Sequence, residues 1–259
     1  MSQLFLLGGH DLEMLEIRRL VGDTLGPKAV LDKGLPWHAA TASAYAREIE
    51  AALAAGIVPV LVELRPDLPA EVLGRCAIVD HHGPLAGADR PTSIEQVFTL
   101  LDLPPDAWTR RLALVAANDR GWIPELRDIG ASPREIALIR AEDRAAQGVT
   151  AAEETAAEAA LAERETRQGG SLTLVRLPHD RTSPVFDRLA LEAAPAPPPD
   201  TLVIGPNELN FSGRGSRVLA LDGTFPDGWS GGALPARGFW GHPQPLPTLQ
   251  AVLAVIADA

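Results

Sequence analysis

Short apolar runs alternate with amphipathic stretches through the first half of the chain. The first apolar run ends at Gly8-Gly9, and the residues after it carry apolar side chains near helical spacing. The predicted strands cover residues 4–7, 29–31, 58–64 and 76–79, and the predicted helices cover residues 12–25, 41–55, 93–101, 108–117 and 133–147. Strands that alternate with helices in this way predict a parallel sheet with crossover helices.

The pattern changes near residue 149. Thr150 and Glu153 match a capping box, and they open an Ala/Glu-rich helix that Gly169-Gly170 closes. Because this helix is polar on most faces, it is predicted to connect two domains. Beyond it, strands are predicted at residues 172–177, 202–204 and 217–221, with a final helix at 249–256. The prediction is therefore an α/β fold with a parallel-sheet N-terminal domain (1–148), a connector helix (149–169) and a smaller α/β C-terminal domain (170–259).

Composition narrows the range of partners. The chain has 259 residues and a formal net charge of −11, which disfavours binding to duplex DNA because such binding requires neutralised phosphates. The negative net charge is still compatible with a small phosphorylated ligand, because a bound metal ion can outweigh the negative surface potential near it. Cys76 is the single cysteine, which excludes an internal disulfide and a Cys-based zinc site. Neither a signal peptide nor an apolar run of about 18 residues is evident, so a cytoplasmic protein without a membrane partner is expected.

Three residues that can bind metal follow the strand predicted at 76–79. Asp80, His81 and His82 stand where the carboxyl end of a parallel strand would meet the ligand crevice of the sheet. Such groups are costly to bury unless metal or hydrogen bonds satisfy them. An isolated triplet of this kind is also compatible with an ordinary loop.

The Asp80-His81-His82 triplet resembles the signature of the DHH phosphoesterases, a family that includes single-strand exonucleases, nanoRNA and cyclic-dinucleotide phosphodiesterases and manganese pyrophosphatases. The resemblance implies that His81 binds a metal ion. It implies that His82 hydrogen-bonds the scissile phosphate or helps to transfer a proton, and that Asp80 ligates the metal or orients a neighbouring His. Members of the family carry four motifs in the first domain.

The first motif of the family supplies a His and two acidic residues separated by one position. His10, Asp11 and Glu13 match it, with His10 directly beside the acidic pair. An alternative register keeps His10 and places Met14 and Glu16 at the acidic positions, but a thioether is a poor ligand for a hard cation. The acidic pair would also suit the N-terminus of a helix without any metal.

The second and fourth motifs normally each supply an Asp. Glu63 occupies the second position, at the end of the strong strand 58–64, and Asp119 matches the fourth, near the end of a helix. The alternative for Glu63 is a solvent-facing residue at the end of a strand, and the alternative for Asp119 is an ordinary turn at the end of a helix. The resemblance implies that one or two Mn²⁺ or Mg²⁺ ions are bound. The implied metal ligands are His10, Asp11, Glu13, Glu63, His81 and Asp119.

The second half of the chain resembles the C-terminal domain of the family, which carries a Ser- and Arg-containing strand and a Gly-rich loop ending in Gly-His. Arginine suits phosphate through paired hydrogen bonds, and glycines let backbone amides approach an anion. The implied substrate-binding residues are Arg214, Arg217, Gly231, Gly232, Arg237 and His242. Trp229, Phe239 and Trp240 would either stack on a base or close a small core.

The resemblance implies a metal-dependent hydrolase of a phosphoester or phosphoanhydride bond, acting on a small nucleotide, a short oligonucleotide or another phosphorylated substrate. Because two motifs are altered, a degenerate member that binds a nucleotide or phosphate without cleaving it is the first alternative. A serine hydrolase that uses Ser230 is a remote alternative, since residues 228–232 match the pattern of a nucleophile elbow. The oligomeric state stays open, with a homodimer among the alternatives.

Overall fold

The computed structural model describes residues 2–81, 91–194, 196–232 and 234–259. By its internal contacts the chain divides into two compact units, Met1–Gly148 and Val149–Ala259. Both units contain a sheet covered by helices, so the predicted α/β class is confirmed. Within the described residues, no helix combines the length and the apolar character that a membrane crossing requires.

The first unit is built on a sheet whose four described strands all run parallel, in the order β2-β1-β3-β4. The strands are β1 (Gln3–Leu7), β2 (Val30–Asp32), β3 (Val58–Val62) and β4 (Ala77–Val79). The helices are α1 (Leu12–Leu25), α2 (Ala46–Ala54), α3 (Ala70–Leu73), α4 (Ser93–Leu100), α5 (Arg110–Asp128) and α6 (Pro133–Ala146). In this register Leu6 lies opposite Leu31 on one side and Leu61 on the other.

Apart from Gln3 at the start of β1, the central strands β1 and β3 are apolar, as is typical of a sheet that is covered on both faces. In β1 the last three residues are fully buried, as are the last three of β3. On one face Leu6 and Leu61 pack with Tyr45 and Ile49, which precede and lie on α2. The Tyr45 hydroxyl donates to the Leu7 carbonyl (2.7 Å), so the end of β1 is tied to this helix.

The second unit carries a mixed sheet in the order β5-β6-β7-β8-β10-β9, counted over the described strands. Only the β6–β7 pair among these is parallel. The strands are β5 (Glu165–Arg167), β6 (Leu172–Arg176), β7 (Asp200–Ile204), β8 (Glu208–Arg214), β9 (Trp229–Gly231) and β10 (Arg237–Pro243). The helices are α7 (Ala151–Ala162), α8 (Ser183–Ala193), α9 (Gly215–Thr224) and α10 (Leu249–Asp258).

Helices cover both faces of the second sheet. On one face Phe211 and Trp240 form a core with residues of α9 and α10. On the other face Val175 and Val203 pack against α7 and α8. The Ala/Glu-rich helix predicted as a connector therefore contributes Ala157 and Leu161 to the core of the second unit.

Several predicted elements of the second unit are wrong in detail. Residues 217–221 form part of helix α9 rather than a strand, because the buried Val218 and Leu221 lie one helical turn apart. The helix that opens at Thr150 ends at Ala162, and residues 165–167 pair with β6 as strand β5. Strands β9 and β10 were not predicted, because they are rich in glycine and polar residues and lack a regular apolar alternation, whereas β8 lies in the segment that resembles the Ser- and Arg-containing strand of the family.

Replacing Tyr45 with Phe tests the link between β1 and α2. The hydroxyl also accepts a hydrogen bond from the Lys33 amide (2.9 Å), so its removal leaves two backbone groups without this partner. We expect Tyr45→Phe to lower the free energy of unfolding by about 1–3 kcal/mol in urea titrations. The control is Thr24→Val, which removes an exposed hydroxyl that donates to a carbonyl one turn earlier, and it should cost less than about 0.5 kcal/mol. Equal losses in the two variants would contradict the link.

Candidate metal centre

Polar residues collect at the carboxyl ends of the parallel strands in the first unit. Asp11 and Glu13 follow β1, Glu63 follows β3, and His81 follows β4 after one intervening residue. Helix α5 brings Asp119 to the same group. The ends of parallel strands meet at one edge of a sheet, which explains how residues distant in sequence come together here.

Four of these side chains converge closely enough to share one cation. Glu13, Glu63, His81 and Asp119 each offer one ligand atom, and these atoms all lie within 4.8 Å of one another. The Nε2 atom of His81 lies 3.3 Å from Glu63 Oε1 and 3.9 Å from Glu13 Oε2, and it also contacts Asp119 Oδ2. Carboxylate oxygens with an imidazole nitrogen form a donor set that suits Mn²⁺ or Mg²⁺.

Burial makes this group of acids electrostatically unfavourable without a cation. The side chains of Glu13 and Glu63 are 1% and 2% exposed. Burial, and then the charges of Asp119 and Glu63, raise the pKa of Glu13 well above its usual value. Burial and the charge of Asp119 likewise raise the pKa of Asp11. A bound cation would offset these repulsions, because its positive charge favours the ionised carboxylates.

One oxygen of Glu13 points to the same conclusion. Its Oε1 atom accepts a hydrogen bond from the Ile94 amide (2.9 Å), whereas its Oε2 atom is buried with no hydrogen-bond partner among the described residues. A buried carboxylate oxygen without a partner costs free energy unless something binds it. Oε2 is also the Glu13 atom that faces His81. The four side chains therefore fit a divalent cation.

The N-terminus of helix α4 holds two of the four ligands. The Ile94 amide binds Glu13, and the fully buried Ser93 hydroxyl donates to Glu63 Oε1 (2.7 Å). Thr92 and Glu95 close the start of this helix as a capping box. The positive end of the helix dipole also stabilises nearby carboxylates. The capping residues at 92–95 are thus a sequence signal for Ser93, which the sequence analysis did not recognise as part of the site.

The backbone near Glu63 shows why a glycine, Gly8, directly follows β1. Glu63 has a φ of 49°, which is uncommon for a residue with a side chain. A Cβ atom on Gly8 would overlap the carbonyl of Glu63, and the Gly8 amide donates to Val62 O (2.8 Å). Gly8 therefore allows the ends of β1 and β3 to approach closely enough for Glu63 to enter the cluster.

A buried network joins the fourth motif to the first. Helix α5 breaks just after Asp119, where Trp122 has a φ of 59°. The Asn118 side chain accepts from Arg140 Nη1 (2.7 Å), which also donates to Asp143 Oδ2 (2.8 Å). The Leu12 amide, at the start of α1, donates to Asp143 Oδ1 (3.3 Å). This network fixes the segments that carry Asp119 and Glu13 relative to each other.

The first-motif residues divide between different tasks. Asp11 caps helix α1 by accepting from the Met14 amide (2.9 Å), and it lies outside the group of four although it interacts electrostatically with it. His10 is exposed, lines a pocket with Glu16 and is not one of the four converging side chains. The alternative register does not fit, because Met14 is fully buried and Glu16 accepts hydrogen bonds from two arginines.

The structure places Asp80 and His81 of the DHH triplet differently. Asp80 is buried, its carbonyl accepts from Gln96 Nε2 (3.2 Å), and it is not one of the four converging side chains. His82 lies outside the described residues. Of the triplet, His81 is the residue that the structure places in the cluster.

In the second unit three arginines surround one carboxylate. Arg214 Nε lies 2.7 Å from Asp200 Oδ2, Arg217 Nη1 lies 2.9 Å from the same atom, and Arg237 Nη1 lies 3.6 Å from Oδ1. Arg217 is 6% exposed and also binds Gln168, so its Nη atoms are engaged inside the unit. The side chains of Arg214 and Arg237 are 51% and 32% exposed. Asp200 was not identified from the sequence because it opens a strand without any motif.

In the Gly-rich segment, the structure shows the local contacts of three residues that were predicted to bind substrate. The His242 ring is buried against Phe225, and its Nδ1 atom lies 2.7 Å from the Pro243 carbonyl. A Cβ atom on Gly231 would overlap the Phe239 ring, and Gly232 has a φ of 100°. These glycines therefore meet local packing and backbone requirements.

The aromatic residues of the same segment separate into core and surface. Trp240 is fully buried, whereas Trp229 and Phe239 are 46% and 44% exposed and lie edge to face. Ser230 lies inside strand β9, and the next helix begins only at Leu249. A nucleophile elbow requires a strand-to-helix turn at the serine, so the serine hydrolase alternative does not fit.

The buried acids predict a pH effect that metal reverses. In excess EDTA, Glu13→Gln should be more stable than the unmodified chain, because it removes one of the repelling charges. Because the pKa of Glu13 is raised in the folded state, the folded chain keeps the Glu13 proton to a higher pH than the unfolded chain does. The stability difference between Glu13→Gln and the unmodified chain should therefore be absent well below pH 4.5 and grow as the pH rises above it. With Mn²⁺ the order should reverse, since the variant loses a ligand.

Thermal unfolding with EDTA or Mn²⁺ measures this effect. The matched control is Glu50→Gln on the exposed surface of α2, which should change stability by less than about 0.5 kcal/mol in either buffer. Equal stability of Glu13→Gln and the unmodified chain at neutral pH in EDTA would contradict the electrostatic account.

The Arg140 network predicts an indirect effect on metal binding. Arg140→Met leaves the buried Asp143 carboxylate without its cation and should cost about 3–5 kcal/mol of stability. Mn²⁺ affinity should fall about 10- to 100-fold, as it does when residues that orient metal ligands are lost. The exposed Arg134→Met on the same helix is the control. An unchanged Kd for Mn²⁺ in folded Arg140→Met would show that the network does not position the ligands.

Neither the protein-family models nor the curated proteins include a match to this sequence. Solved structures do match. A DHH domain described as a member of a family of ribosomal proteins aligns with a TM-score of 0.56 and 13% identity, over 99% of this chain and 86% of that chain. An exopolyphosphatase-related protein from Bacteroides fragilis gives a TM-score of 0.45 with 14% identity, over 99% of this chain and 91% of that one.

The exonuclease RecJ, bound to manganese, gives a TM-score of 0.46 with 14% identity, over 99% of this chain and 89% of that chain. At these identities the likeness shows the fold alone, and of these three structures the first has a TM-score above 0.5. The resemblance to DHH proteins is thereby confirmed at the level of architecture, because the aligned region includes both units. The chain has the fold of a DHH-domain protein.

Proposed function

We propose that the chain is a DHH-type, metal-dependent hydrolase of a phosphoester or phosphoanhydride bond. The observation that carries the proposal is the convergence of Glu13, Glu63, His81 and Asp119 at the carboxyl edge of the parallel sheet. The buried Oε2 atom of Glu13, which has no hydrogen-bond partner in the described part of the chain, and the DHH fold support it. Metal-assisted hydrolysis is the chemistry that such a carboxylate-rich, divalent-cation site performs best.

The four converging side chains would hold one ion, and Asp11, whose pKa is raised by burial and by the charge of Asp119, would be the candidate ligand of a second. A bound Mn²⁺ or Mg²⁺ would polarise a phosphoryl oxygen and lower the pKa of an attacking water. The donor set favours these ions over softer metals, because it has three carboxylates and lacks sulfur.

The protein residues prepare the site before any substrate arrives. The Ile94 amide and the Ser93 hydroxyl fix the Glu13 and Glu63 carboxylates, so little reorganisation is needed when charge develops on the phosphate. Asp119 Oδ2 and His81 Nε2 already face each other, so these two ligand atoms point to the place where an ion would bind. His82 and Asp80 keep their proposed roles in proton transfer and orientation, which follow from the DHH triplet rather than from measured contacts.

We propose a small phosphorylated compound as the substrate. The net charge of −11 disfavours a long polyanion, whereas a short one needs only local positive charge. In the second unit, Arg214 and Arg237 are the exposed members of the Asp200 cluster and are the candidates to bind a phosphate group. Arg217 would act through Asp200 by holding that carboxylate in place.

The second candidate function is binding without cleavage. The specific observation in its favour is that the Asp11 carboxylate caps α1 and lies outside the group of four. Together with Glu63 in place of the usual Asp, this arrangement is compatible with a single-metal site that retains a phosphate ligand without turning it over.

The decisive experiment measures Mn²⁺ stoichiometry and hydrolysis of bis(4-nitrophenyl) phosphate and pyrophosphate in the unmodified chain and in His81→Ala. We expect at least one Mn²⁺ per chain, and a loss of activity of about 100-fold or more on substitution, because a metal ligand is removed. His179→Ala, a substitution of a histidine in the second unit, is the control and should retain activity.

The outcomes separate the two candidates. Stoichiometric Mn²⁺ with no hydrolysis of any tested phosphate compound would favour binding without cleavage. Absence of Mn²⁺ binding, or hydrolysis that survives in His81→Ala, would overturn the proposed metal-dependent mechanism.

A further inference from the structure

The loop after β2 places a large aromatic ring at the edge of the sheet that carries the metal cluster. Three of the four strands in this sheet are followed by site residues, namely Glu13 after β1, Glu63 after β3 and His81 after β4. The fourth strand, β2, ends at Asp32 and leads to Trp37, whose side chain is 48% exposed. Because all four strands are parallel, this loop emerges at the same edge as the other three.

The Trp37 ring lies flat on the main chain beside the cluster. A Cβ atom on Gly9 would overlap three atoms of the six-membered ring, Cη2, Cζ2 and Cζ3, all at nearly the same separation. That pattern is expected when the face of the ring, rather than its edge, covers the backbone. Gly9 has a φ of 59°, so both its conformation and its missing side chain are needed here.

The position of Gly9 brings the ring close to the candidate metal centre. Gly9 stands two residues before Asp11, a separation of at most about 7 Å along the chain. Glu13, one of the four converging side chains, follows Asp11 by two more residues. With one ring face on the backbone, the exposed half of Trp37 presents a planar apolar surface within reach of a group attached to a bound phosphate.

We propose that Trp37 stacks on a planar aromatic group that the substrate carries next to its scissile phosphate. The site would then select nucleotide or aryl phosphoesters over inorganic pyrophosphate and other compounds without a ring. The inference rests on the proposed function, and it adds the class of substrate and the residue that selects it. Stacking of an aromatic side chain on a base requires no particular hydrogen-bonding pattern, so different bases would be accepted.

The experiment compares binding of adenosine 5′-monophosphate, 4-nitrophenyl phosphate and inorganic phosphate by calorimetry in the presence of Mn²⁺. Trp37→Leu removes the aromatic face, and Trp37→Phe retains a smaller one. We expect Trp37→Leu to weaken binding of the adenosine compound by about 10-fold or more while leaving inorganic phosphate unchanged, with Trp37→Phe in between. Leu138→Ala, which removes a similarly exposed side chain from α6, is the control and should bind all three compounds normally.

The two aromatic compounds distinguish the sources of the ring. Weakening of both by Trp37→Leu indicates general recognition of aromatic esters, and weakening of the adenosine compound alone indicates selection of a nucleobase. Either result supports the inference.

Equal weakening of all three compounds, no weakening of either aromatic compound, or no binding of them by the unmodified chain would overturn it. Calorimetry detects binding even where a compound is not cleaved, so a chain that cleaves pyrophosphate but binds neither aromatic compound would refute the role of Trp37 and leave the proposed function intact.

Discussion

The arrangement of residues around the metal cluster of the first unit depends on the mutual repulsion of its buried carboxylates. Glu13 and Glu63 are almost completely buried and lie near Asp119, so their charges disfavour the folded state unless nearby groups offset them. The surrounding structure offsets them in part, through the amide of Ile94, the hydroxyl of Ser93 and the imidazole of His81. A bound divalent cation would offset the repulsion that these groups leave between the carboxylates.

The ends of the parallel strands bring these carboxylates together. A parallel sheet places every carboxyl-terminal loop on one edge, and Gly8 allows two of these loops to approach more closely than residues with side chains would. The Asn118–Arg140–Asp143 network then fixes α5 against α1. The position of the cluster thus follows from topology, whereas its spacing depends on a small number of specific contacts.

Strand patterns were sufficient to predict the α/β class, and the resemblance to the DHH motifs implied the four residues that converge. These motifs were insufficient for His10, since neighbouring residues at a helix start point in different directions and only the backbone decides which one faces the cluster. The short apolar run at 217–221 fits both a strand and a helix. Trp37 carried no signal at all, because an exposed ring belongs to no periodic pattern.

The break in helix α5 separates two tasks within one continuous segment. Before the break, the helix ends with Asp119 and is fixed by Asn118; after it, Ile123 and Leu126 pack into the core. In an unbroken helix, each added residue would rotate everything that follows by about 100°. Here the non-helical residues Gly121 and Trp122 interrupt that relation between the two halves. The residues that pack into the core after the break therefore do not dictate the direction in which the aspartate points.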